Sequence, residues 1–293
     1  MSEPIDPLMK NNTKTALVIE GGAMRSIFSA GLLDGFIRQK FNPFDFYIGV
    51  SAGAYNLIAY LSGEPEISLN IFRDFASSKQ FINFKRFLMG GHLIDLDWIE
   101  KIAFNNRVNL DAVYHQNKKV FVCLTDVETG KAVYVPTQAD NIRSTIKASA
   151  ALPLLYRHFP QINNRDMVDG GVADGIPVGE AIRQGAKKIM VIRARPKCYQ
   201  KKDTINHRLI RWKLREHTSL VNTMRERVMI YQESLELIRN PPDGVQVIEI
   251  NPPEKLTLGR FNRNQAALLK GYDAGITQAD NAIAKWLDTS YNL

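Results

Sequence analysis

The sequence has very few cysteines and no segment typical of export. Its 293 residues include two cysteines, Cys123 and Cys198, which are too few for a disulfide framework. Neither has neighbours at the spacing of zinc ligands. The amino terminus is polar, carries acidic residues and two prolines, and lacks the apolar core of a signal peptide. We therefore expect a cytoplasmic protein without structural disulfides.

Long hydrophobic runs are also scarce. One uncharged run, residues 46–63, spans 18 residues and approaches the length of a membrane-spanning helix. Its centre reads Gly-Val-Ser-Ala-Gly at residues 49–53, and small and polar residues in the middle of an apolar run indicate a turn. The run therefore predicts a buried strand, a turn and a helix rather than a membrane span.

Acidic residues are scarce in one segment only. The chain has 38 Lys and Arg against 30 Asp and Glu, a formal net charge of +8. Residues 183–227, the basic segment, hold 14 basic and 3 acidic residues, which leaves 24 basic and 27 acidic residues elsewhere. This segment is either a solvated helical face or a surface for an anionic membrane. We expect no nucleic-acid partner, because no helix-turn-helix, zinc-finger or RNA-binding aromatic motif accompanies the charge.

Two short apolar segments are each followed by a glycine-containing turn and a helical pattern. Residues 15–20 and 46–50 are rich in β-branched and aromatic side chains, as buried strands are. Helical patterns follow at residues 25–40 and 52–61. A repeated order of strand, turn and helix is typical of a parallel α/β sheet. Four further segments have the character of strands: residues 120–124, 132–135, 189–193 and 245–250.

The carboxy-terminal third is more helical. Apolar residues from Ile210 to Ile238 recur at alternating steps of four and three, which predicts one long helix whose stripe is interrupted only by His217. Residues 240–244, Asn-Pro-Pro-Asp-Gly, end this helix, and residues 265–287 form a final helical region. We expect the stripe to pack on the core, with a dimer or membrane contact as the alternative.

The Gly-x-Ser-x-Gly motif at residues 49–53 lies between a predicted strand and a predicted helix. A nucleophilic serine needs a tight, strained strand-to-helix turn, and flanking glycines let the backbone make it. The amino terminus of the following helix favours developing negative charge. Ser51 is therefore the candidate nucleophile, with a purely structural turn as the alternative.

No histidine stands where a hydrolase of the Ser-His-Asp type would need one. The last 76 residues contain none, and five occur earlier in the chain: His92, His115, His158, His207 and His217. An α/β-hydrolase triad ends with a histidine on a late loop, so this layout fits poorly. Asp169 follows an apolar pair and precedes Gly170 and Gly171, which makes it the candidate base at a strand end. An ordinary Asp-Gly turn is the alternative.

The first predicted strand ends in a glycine-rich loop, Glu-Gly-Gly-Ala-Met-Arg at residues 20–25. Successive backbone N–H groups at a helix start form a concavity that suits an acyl oxyanion or a phosphate. The loop is neither a Walker loop, which needs Gly-Lys-Ser/Thr, nor a dinucleotide fingerprint. Arg25 either adds positive potential beside the anion or pairs with an acidic residue.

These three motifs, in this order, resemble the patatin-like phospholipase family. That family has a glycine-rich oxyanion loop after the first strand, Gly-x-Ser-x-Gly after the second, and Asp-Gly-Gly or Asp-Gly-Ala downstream. This chain has the three motifs at residues 20–25, 49–53 and 169–171. Residues 148–153, Ala-Ser-Ala-Ala-Leu-Pro, are similar to a stretch that the family often carries. The resemblance covers residues 14–195, and the remainder looks like the carboxy-terminal extension of bacterial members.

Two positions of the loop depart from the family pattern. Ala23 and Ser26 stand where the family commonly has glycines. Alanine supplies the same backbone N–H, so the oxyanion hole is retained if the φ angle of Ala23 is negative. A need for positive φ at this position would argue against it.

The resemblance implies a three-layer α/β sandwich with a mainly parallel central sheet, and a Ser–Asp dyad that needs no histidine. Ser51 would attack an ester carbonyl while Asp169 takes its proton, with no metal and no organic cofactor. The implied oxyanion hole consists of Gly21, Gly22, Ala23 and Arg25, with Ala52 as a further donor. Gly49 and Gly53 would form the nucleophile turn, and Gly170 and Gly171 would complete the acid motif.

The implied substrate is a fatty-acyl ester of a lipid, as for a phospholipase A or a lysophospholipase. A carboxylesterase or thioesterase for soluble esters and a non-catalytic lipid-binding protein are the alternatives. Peripheral contact between the basic segment and the inner face of a membrane belongs to the same hypothesis.

We expect three parts: a flexible tail at residues 1–13, a catalytic domain at residues 14–195, and a basic helical extension at residues 196–293 packed on the core. Aromatic residues are concentrated after the nucleophile: Phe72, Phe75, Phe81, Phe84, Phe87, Trp98 and Phe104. They form either core or the wall or lid of an acyl pocket. Residues 81–89 mix aromatic and basic residues as an interfacial helix does.

Overall fold

The computed structural model describes residues 13–105, 108–203 and 207–288, so residues 1–12 of the predicted tail lie outside the described residues. Eight strands are found in these ranges: β1 (Thr15–Ile19), β2 (Phe46–Val50), β3 (Lys119–Asp126), β4 (Ala132–Pro136), β5 (Gln161–Ile162), β6 (Arg165–Asp169), β7 (Lys188–Ile192) and β8 (Gln246–Ile250). The strands predicted from composition at β1, β2, β3, β4, β7 and β8 are confirmed within three residues at each end.

The same ranges contain eleven α-helices: α1 (Ile27–Arg38), α2 (Ala52–Leu61), α3 (Ile67–Asn70), α4 (Phe84–Leu88), α5 (Leu96–Phe104), α6 (Leu110–His115), α7 (Ile142–Ser149), α8 (Val178–Arg183), α9 (His207–Lys213), α10 (Thr218–Arg239) and α11 (Gln265–Leu287). Two 3₁₀ helices and one π-helical segment supplement them: Ala23–Ser26, Gly170–Val172 and Ile71–Ala76. No helix in the described part of the chain has both the length and the apolar character needed to cross a membrane.

The strands form one mixed sheet that is mostly parallel. Strands β8, β7, β1, β2 and β3 are parallel neighbours in that order. Strands β4 and β6 pair with β3 in the antiparallel direction, and β5 pairs with β6. The parallel part agrees with the strand–turn–helix repeats in the sequence, because parallel neighbours need a crossover between them.

Helices cover both faces of the sheet, which confirms the expected three-layer α/β sandwich. Alternate residues of β1 face opposite layers: Leu17 and Ile19 join one hydrophobic cluster, and Ala16 and Val18 join another. Buried residues of α1, α2 and α11 complete the first cluster, and those of α8 and α10 complete the second. Strands buried on both faces have continuous apolar sequences, which is why composition identified β1 and β2.

The pairing of β3 brings the ends of β2 and β6 together. Cys123 of β3 lies between Val50 of β2 and a residue of β4. The next residue, Leu124, lies between Asp169 of β6 and a residue of β4. Strand β6 therefore continues on the side of β3 where β2 ends. Ser51, which follows β2, consequently comes close to Asp169.

The long helix expected from Ile210 to Ile238 is wrong, because the chain forms two helices, α9 and α10. It turns between Leu214 and His217, where the N–H of His217 donates to the carbonyl of Leu214 at 2.9 Å. Both helices contribute to one hydrophobic cluster: Ile210, Leu214, Leu220, Val221 and Met224. The apolar spacing therefore continues across the turn, and the periodicity alone does not show the break.

The chain beyond residue 195 belongs to the same sandwich. Strand β8 pairs along β7, and α11 packs across α1. The two helices approach so closely that a Cβ added at Gly31 would lie 2.0 Å from the carbonyl oxygen of Tyr272. The boundary predicted at residue 195 therefore separates strands of one continuous sheet.

Candidate functional site

Ser51 occupies a sharp turn between β2 and α2. Its backbone has φ 54° and ψ −128°, which a residue with a side chain rarely adopts. A Cβ added at Gly49 would lie 2.5 Å from the Cα of Ala54, and one added at Gly53 would lie 2.7 Å from the carbonyl oxygen of Glu20. Side chains are therefore excluded on both sides of the serine. Ser51 itself is 7% exposed.

The hydroxyl of Ser51 donates a hydrogen bond to the carboxylate of Asp169, with 2.8 Å between Oγ and Oδ2. The other carboxylate oxygen, Oδ1, accepts from the N–H of Gly171 at 2.7 Å. The hydroxyl of Thr125 donates to the main-chain carbonyl of Asp169 at 2.9 Å. Gly170 and Gly171 begin the 3₁₀ helix that follows β6. The structure thus brings together the two residues selected from the sequence and holds the aspartate, which is 4% exposed, at three points.

Burial raises the pKa of Asp169 above that of an exposed aspartate. Hydrogen bonds from Ser51 and Gly171 and the positive charges of Arg260 and Lys201 act in the opposite direction. Because the effect of burial is the largest, the carboxylate is a stronger base than an ordinary aspartate. Such a base is suited to accept a proton from a serine hydroxyl.

Histidines are absent from the surroundings of Ser51 in the described ranges. His92 and His158 contact each other, with 4.6 Å between their ring centroids. His207 pairs with Asp203, and His217 packs on Phe159. None of the described histidines lines either of the two cavities that reach Ser51.

The glycine-rich loop lies beside Ser51 and lines the same cavity. A Cβ added at Gly21 would lie 3.4 Å from the Cβ of Ser51. The N–H of Gly21 donates to the carbonyl of Gly175 at 3.4 Å, so it is not free as the oxyanion expectation requires. The N–H groups of Gly22 and Ala23 have no hydrogen-bond partner among the residues that the structure describes.

The φ angle of Ala23 corrects a second expectation. The sequence predicts an oxyanion hole here if the φ angle of Ala23 is negative, but the angle is +49°. Alanine takes such a left-handed conformation at a cost of roughly 1–2 kcal/mol. Main-chain hydrogen bonds hold the loop in this shape, because the N–H of Met24 donates to the carbonyl of Arg260 at 3.3 Å and that of Arg25 to Gly22 at 3.2 Å. The strained alanine is therefore accommodated, and its N–H has no partner among the described residues.

A buried ion pair between Glu20, the first residue of the loop, and Arg193 supports the loop. This pair was not predicted from the sequence. Glu20 and Arg193 are 3% and 1% exposed, and the Nε of Arg193 donates to Oε2 of Glu20 at 2.9 Å. The N–H of Ala194 donates to the same oxygen at 2.7 Å, and the hydroxyl of Tyr231 donates to Oε1 at 2.9 Å. Arg193 also pairs with Glu249. The network joins β1, β7, α10 and β8. In the sequence, the acidic Glu20 directly after a buried strand was the feature that could have indicated a buried ion pair.

Ser149 also supports the site, although no role was predicted for it from the sequence. Its hydroxyl accepts from the N–H of Ser51 at 2.8 Å and donates to the carbonyl of Cys123 at 2.6 Å. The side chain is fully buried at the end of α7 and links the nucleophile turn to β3. The Ala-Ser-Ala-Ala-Leu-Pro stretch that contains Ser149 is similar to one that the family often carries, but the sequence alone indicates no chemical role for this serine.

An apolar pocket reaches Ser51 from one side. Ala23 and Ala52 line it beside the serine, and large apolar side chains line the remainder: Phe72, Phe81, Ile82, Leu96, Ile99 and Phe104. The aromatic cluster of the sequence is thus divided. Three of its members line this pocket, Phe75 packs against Trp98, and Phe84 is 59% exposed.

A basic cleft reaches Ser51 from another side. Asp169 and the glycine-rich loop line it together with six basic side chains: Arg25, Arg195, Lys201, Lys202, Arg227 and Arg260. Arg25 is 8% exposed and forms no ion pair within the described ranges, which favours positive potential over pairing as its role. Ser51 therefore lies where an apolar pocket meets a basic cleft.

Family models match two parts of the chain. The family described as Patatin-like phospholipase matches residues 17–182. The family described as Domain of unknown function (DUF6363) matches residues 217–290. The chain belongs to the patatin-like phospholipase family.

Among the proteins that match the chain are two curated proteins and a solved structure. Uncharacterized protein YjjU of Escherichia coli (strain K12) is 35% identical over 268 residues, which cover 89% of this chain and 75% of that protein. Probable lipid hydrolase 463L of Invertebrate iridescent virus 6 is 23% identical over 283 residues, which cover 87% and 88% of the two chains. The crystal structure of VipD from Legionella pneumophila matches with a TM-score of 0.41 and 14% identity, over 92% of this chain and 67% of that one.

Replacing Ser149 with alanine is expected to destabilise the protein, because the N–H of Ser51 and the carbonyl of Cys123 both lose a buried partner. The free energy of unfolding should fall by about 1–3 kcal/mol in urea denaturation. Ser144→Ala, at an exposed position of the same helix, is the control and should change it by less than about 0.5 kcal/mol. Equal stability of the two variants would contradict the positioning role of Ser149.

Proposed function

We propose that this protein is a serine lipid acyl hydrolase of the phospholipase A or lysophospholipase kind. The observation that carries the proposal is the 2.8 Å hydrogen bond from Ser51 to Asp169 at the junction of the apolar pocket and the basic cleft. Membership of the patatin-like phospholipase family supports it. The name of the viral relative, a probable lipid hydrolase, points to the same class of reaction.

In the proposed reaction, Oγ of Ser51 attacks the ester carbonyl carbon while Oδ2 of Asp169 accepts the hydroxyl proton. When the tetrahedral intermediate collapses, the ester C–O bond breaks and the proton passes from Asp169 to the leaving alcohol. Water then attacks the acyl-enzyme with Asp169 again as the base, which releases the fatty acid and restores Ser51. The raised pKa of Asp169 supports this assignment because it makes the carboxylate a better base.

The N–H groups of Gly22 and Ala23 are the proposed donors to the tetrahedral oxyanion. The N–H of Ala52, the first residue of α2, is a third, because first-turn N–H groups have no acceptor within their helix. Gly21 is left out of the set because its N–H already bonds to Gly175. The positive end of the α2 dipole and the charge of Arg25 add favourable potential.

The apolar pocket is the proposed site of the acyl chain. A hydrolase of small soluble esters does not need an apolar pocket lined by Phe72, Phe81 and Phe104. A non-catalytic lipid-binding protein does not need a buried aspartate bonded to a strained serine. The lipid acyl hydrolase uses both features, which is why it ranks above a general carboxylesterase or thioesterase and above a binding protein.

Ser51→Ala and Asp169→Asn are each expected to abolish hydrolysis of p-nitrophenyl acyl esters, since one removes the nucleophile and the other the base. The loss in kcat should be on the order of 10⁴-fold or more. Asp166→Asn is the matched control on β6, because that carboxylate bonds to Gln161, and it should retain activity.

Three results would redirect the assignment. Full activity of Asp169→Asn together with loss in a His→Ala variant would contradict the dyad. A fluorophosphonate probe that fails to label Ser51 in folded protein would favour the non-catalytic lipid-binding protein. Faster turnover of short soluble esters than of long-chain lipid esters would favour the general esterase.

The pH dependence of kcat/KM for a neutral ester should show an acidic limb above the ordinary aspartate pKa of about 3.9. The base acts only when ionised, and burial raises its pKa, so activity is lost at higher pH than for an exposed aspartate. Arg260→Gln should move the limb further up, because the positive charge of Arg260 lowers that pKa. A limb that stays at the ordinary value in both proteins would exclude Asp169 as the base.

We further propose that α9 docks on an anionic membrane surface. This helix exposes Leu209 and Trp212, which are 46% and 61% exposed, beside three exposed basic residues, Arg208, Arg211 and Lys213. Apolar side chains flanked by Lys and Arg are typical of interfacial helices. Leu209 also lines the basic cleft, so the helix adjoins the route to Ser51. The basic segment as a whole does not form one face, because Arg193 lies in the buried ion pair.

The double variant Trp212→Ser, Arg211→Gln should bind vesicles containing phosphatidylglycerol about fivefold or more weakly, since each basic residue near such a surface contributes about 1 kcal/mol. Co-sedimentation at low and high salt measures this. Leu269→Ser, Lys270→Gln on α11 removes one apolar and one basic side chain elsewhere and should bind normally. Binding that ignores both salt and anionic lipid would refute the proposal.

A further inference from the structure

The six basic side chains of the basic cleft lack acidic partners. None of them forms an ion pair with Asp or Glu in the part of the chain that the structure describes. The Nε atoms of Arg25 and Arg227 are buried and have no hydrogen-bond partner among these residues. Arg25 is 8% exposed, so it meets little water that could replace one. A buried Nε–H without a hydrogen-bond partner is costly unless a ligand supplies one.

The acidic groups near the cleft are already engaged. Glu20 is held by the buried network beneath the glycine-rich loop. Asp169 accepts hydrogen bonds on both carboxylate oxygens. Asp203, which acts electrostatically on Arg227, pairs with His207. The cleft therefore has a surplus of positive charge that the described residues do not neutralise.

The cations of the cleft act electrostatically on one another. Burial and the charge of Arg227 lower the pKa of Lys201 to about 8. Burial and the charges of Arg195 and Arg260 lower the pKa of Arg25 to about 10. Mutual repulsion of this kind is unfavourable in the free protein and is relieved when an anion binds between the groups.

We propose that the basic cleft binds the headgroup of the substrate and selects glycerophospholipids whose headgroup carries net negative charge, such as a terminal phosphate. This inference rests on the proposed lipid acyl hydrolase function and names its substrate class. Guanidinium groups bind phosphate through charge-assisted and often bidentate hydrogen bonds. A choline headgroup would place a further cation among the six, and a monoacylglycerol, which has no phosphate, would leave them unpaired.

The position of the cleft favours a lipid phosphate over the phosphates of an acyl-coenzyme A. Arg260 and Lys201 act electrostatically on Asp169, whose Oδ2 lies 2.8 Å from Oγ of Ser51. In a glycerophospholipid, the phosphate and the scissile ester share one glycerol, so both are close to Ser51 when the acyl chain fills the apolar pocket. In an acyl-coenzyme A, the pantetheine arm holds the phosphates far from the thioester.

The test uses three lipids with the same oleoyl ester in neutral detergent micelles: lysophosphatidic acid, lysophosphatidylcholine and monooleoylglycerol. The wild-type protein should have the highest kcat/KM on lysophosphatidic acid. In the triple variant Lys201→Gln, Arg227→Gln, Arg260→Gln, the ratio of kcat/KM for lysophosphatidic acid to that for monooleoylglycerol should fall by about tenfold or more. Removing these charges also changes the basicity of Asp169, but this change affects both substrates equally and therefore cancels in the ratio.

The matched control removes the same charge outside the cleft. Lys131→Gln, Lys270→Gln, Lys285→Gln lowers the net charge by three at exposed positions, and the ratio should stay within about twofold of wild type. An equal fall in both triple variants would show that general surface charge sets the preference and would overturn the inference. Wild-type rates that are equal for the three lipids, or a faster reaction with oleoyl-coenzyme A, would also overturn it.

A binding measurement separates this inference from the proposed hydrolase function. Ser51→Ala should bind sn-glycerol 3-phosphate in a calorimetric titration, and the binding should be lost when the three cleft substitutions are added. If no lipid is hydrolysed but this binding is found, the hydrolase proposal fails and the anion subsite stands. If lipids are hydrolysed but sn-glycerol 3-phosphate does not bind Ser51→Ala, the subsite is wrong and the hydrolase proposal stands.

Discussion

The pairing of β3 is the constraint on which the site depends. Strand β3 pairs with β2 as far as Cys123 and with β6 from Leu124 onward. The ends of β2 and β6 therefore meet on one side of β3. Ser51 and Asp169 are 118 residues apart in sequence and reach hydrogen-bond distance because of this arrangement. Ser149 reinforces it by joining the N–H of Ser51 to the carbonyl of Cys123. A serine at a strained turn thereby obtains a buried carboxylate partner.

The glycine-rich loop depends in turn on the carboxy-terminal third of the chain. The buried pair of Glu20 and Arg193 is completed by Tyr231 on α10 and Glu249 on β8. A buried charge that loses its partner is strongly destabilising, so these distant elements must pack together for the loop to form. The carbonyl of Arg260 also holds the loop at Met24. Tyr231, Glu249 and Arg260, all beyond residue 195, therefore support the site.

The two cavities at Ser51 differ in the physical basis of recognition. The apolar pocket offers surface that gains free energy when a hydrocarbon chain leaves water. The basic cleft offers uncompensated positive charge, which gains free energy only when an anion enters. A molecule with an acyl chain and a phosphate on either side of one ester matches both cavities at once. This match connects the proposed reaction with the proposed substrate class.

Local patterns in the sequence determined the elements nearest the site. Apolar runs that end at glycines identified β1 and β2, and the motifs around Ser51 and Asp169 selected the central pair, because buried strands and tight turns restrict composition locally. The break between α9 and α10 and the positive φ of Ala23 were decided by packing against distant residues, which no local pattern records. In the sequence, the excess of basic residues is confined to residues 183–227. The basic cleft, however, is also lined by Arg25 and Arg260 from outside that segment. Only the tertiary structure gathers these cations around one serine, because the sheet order places β1 beside β7 and brings α10 and the loop before α11 to the same edge.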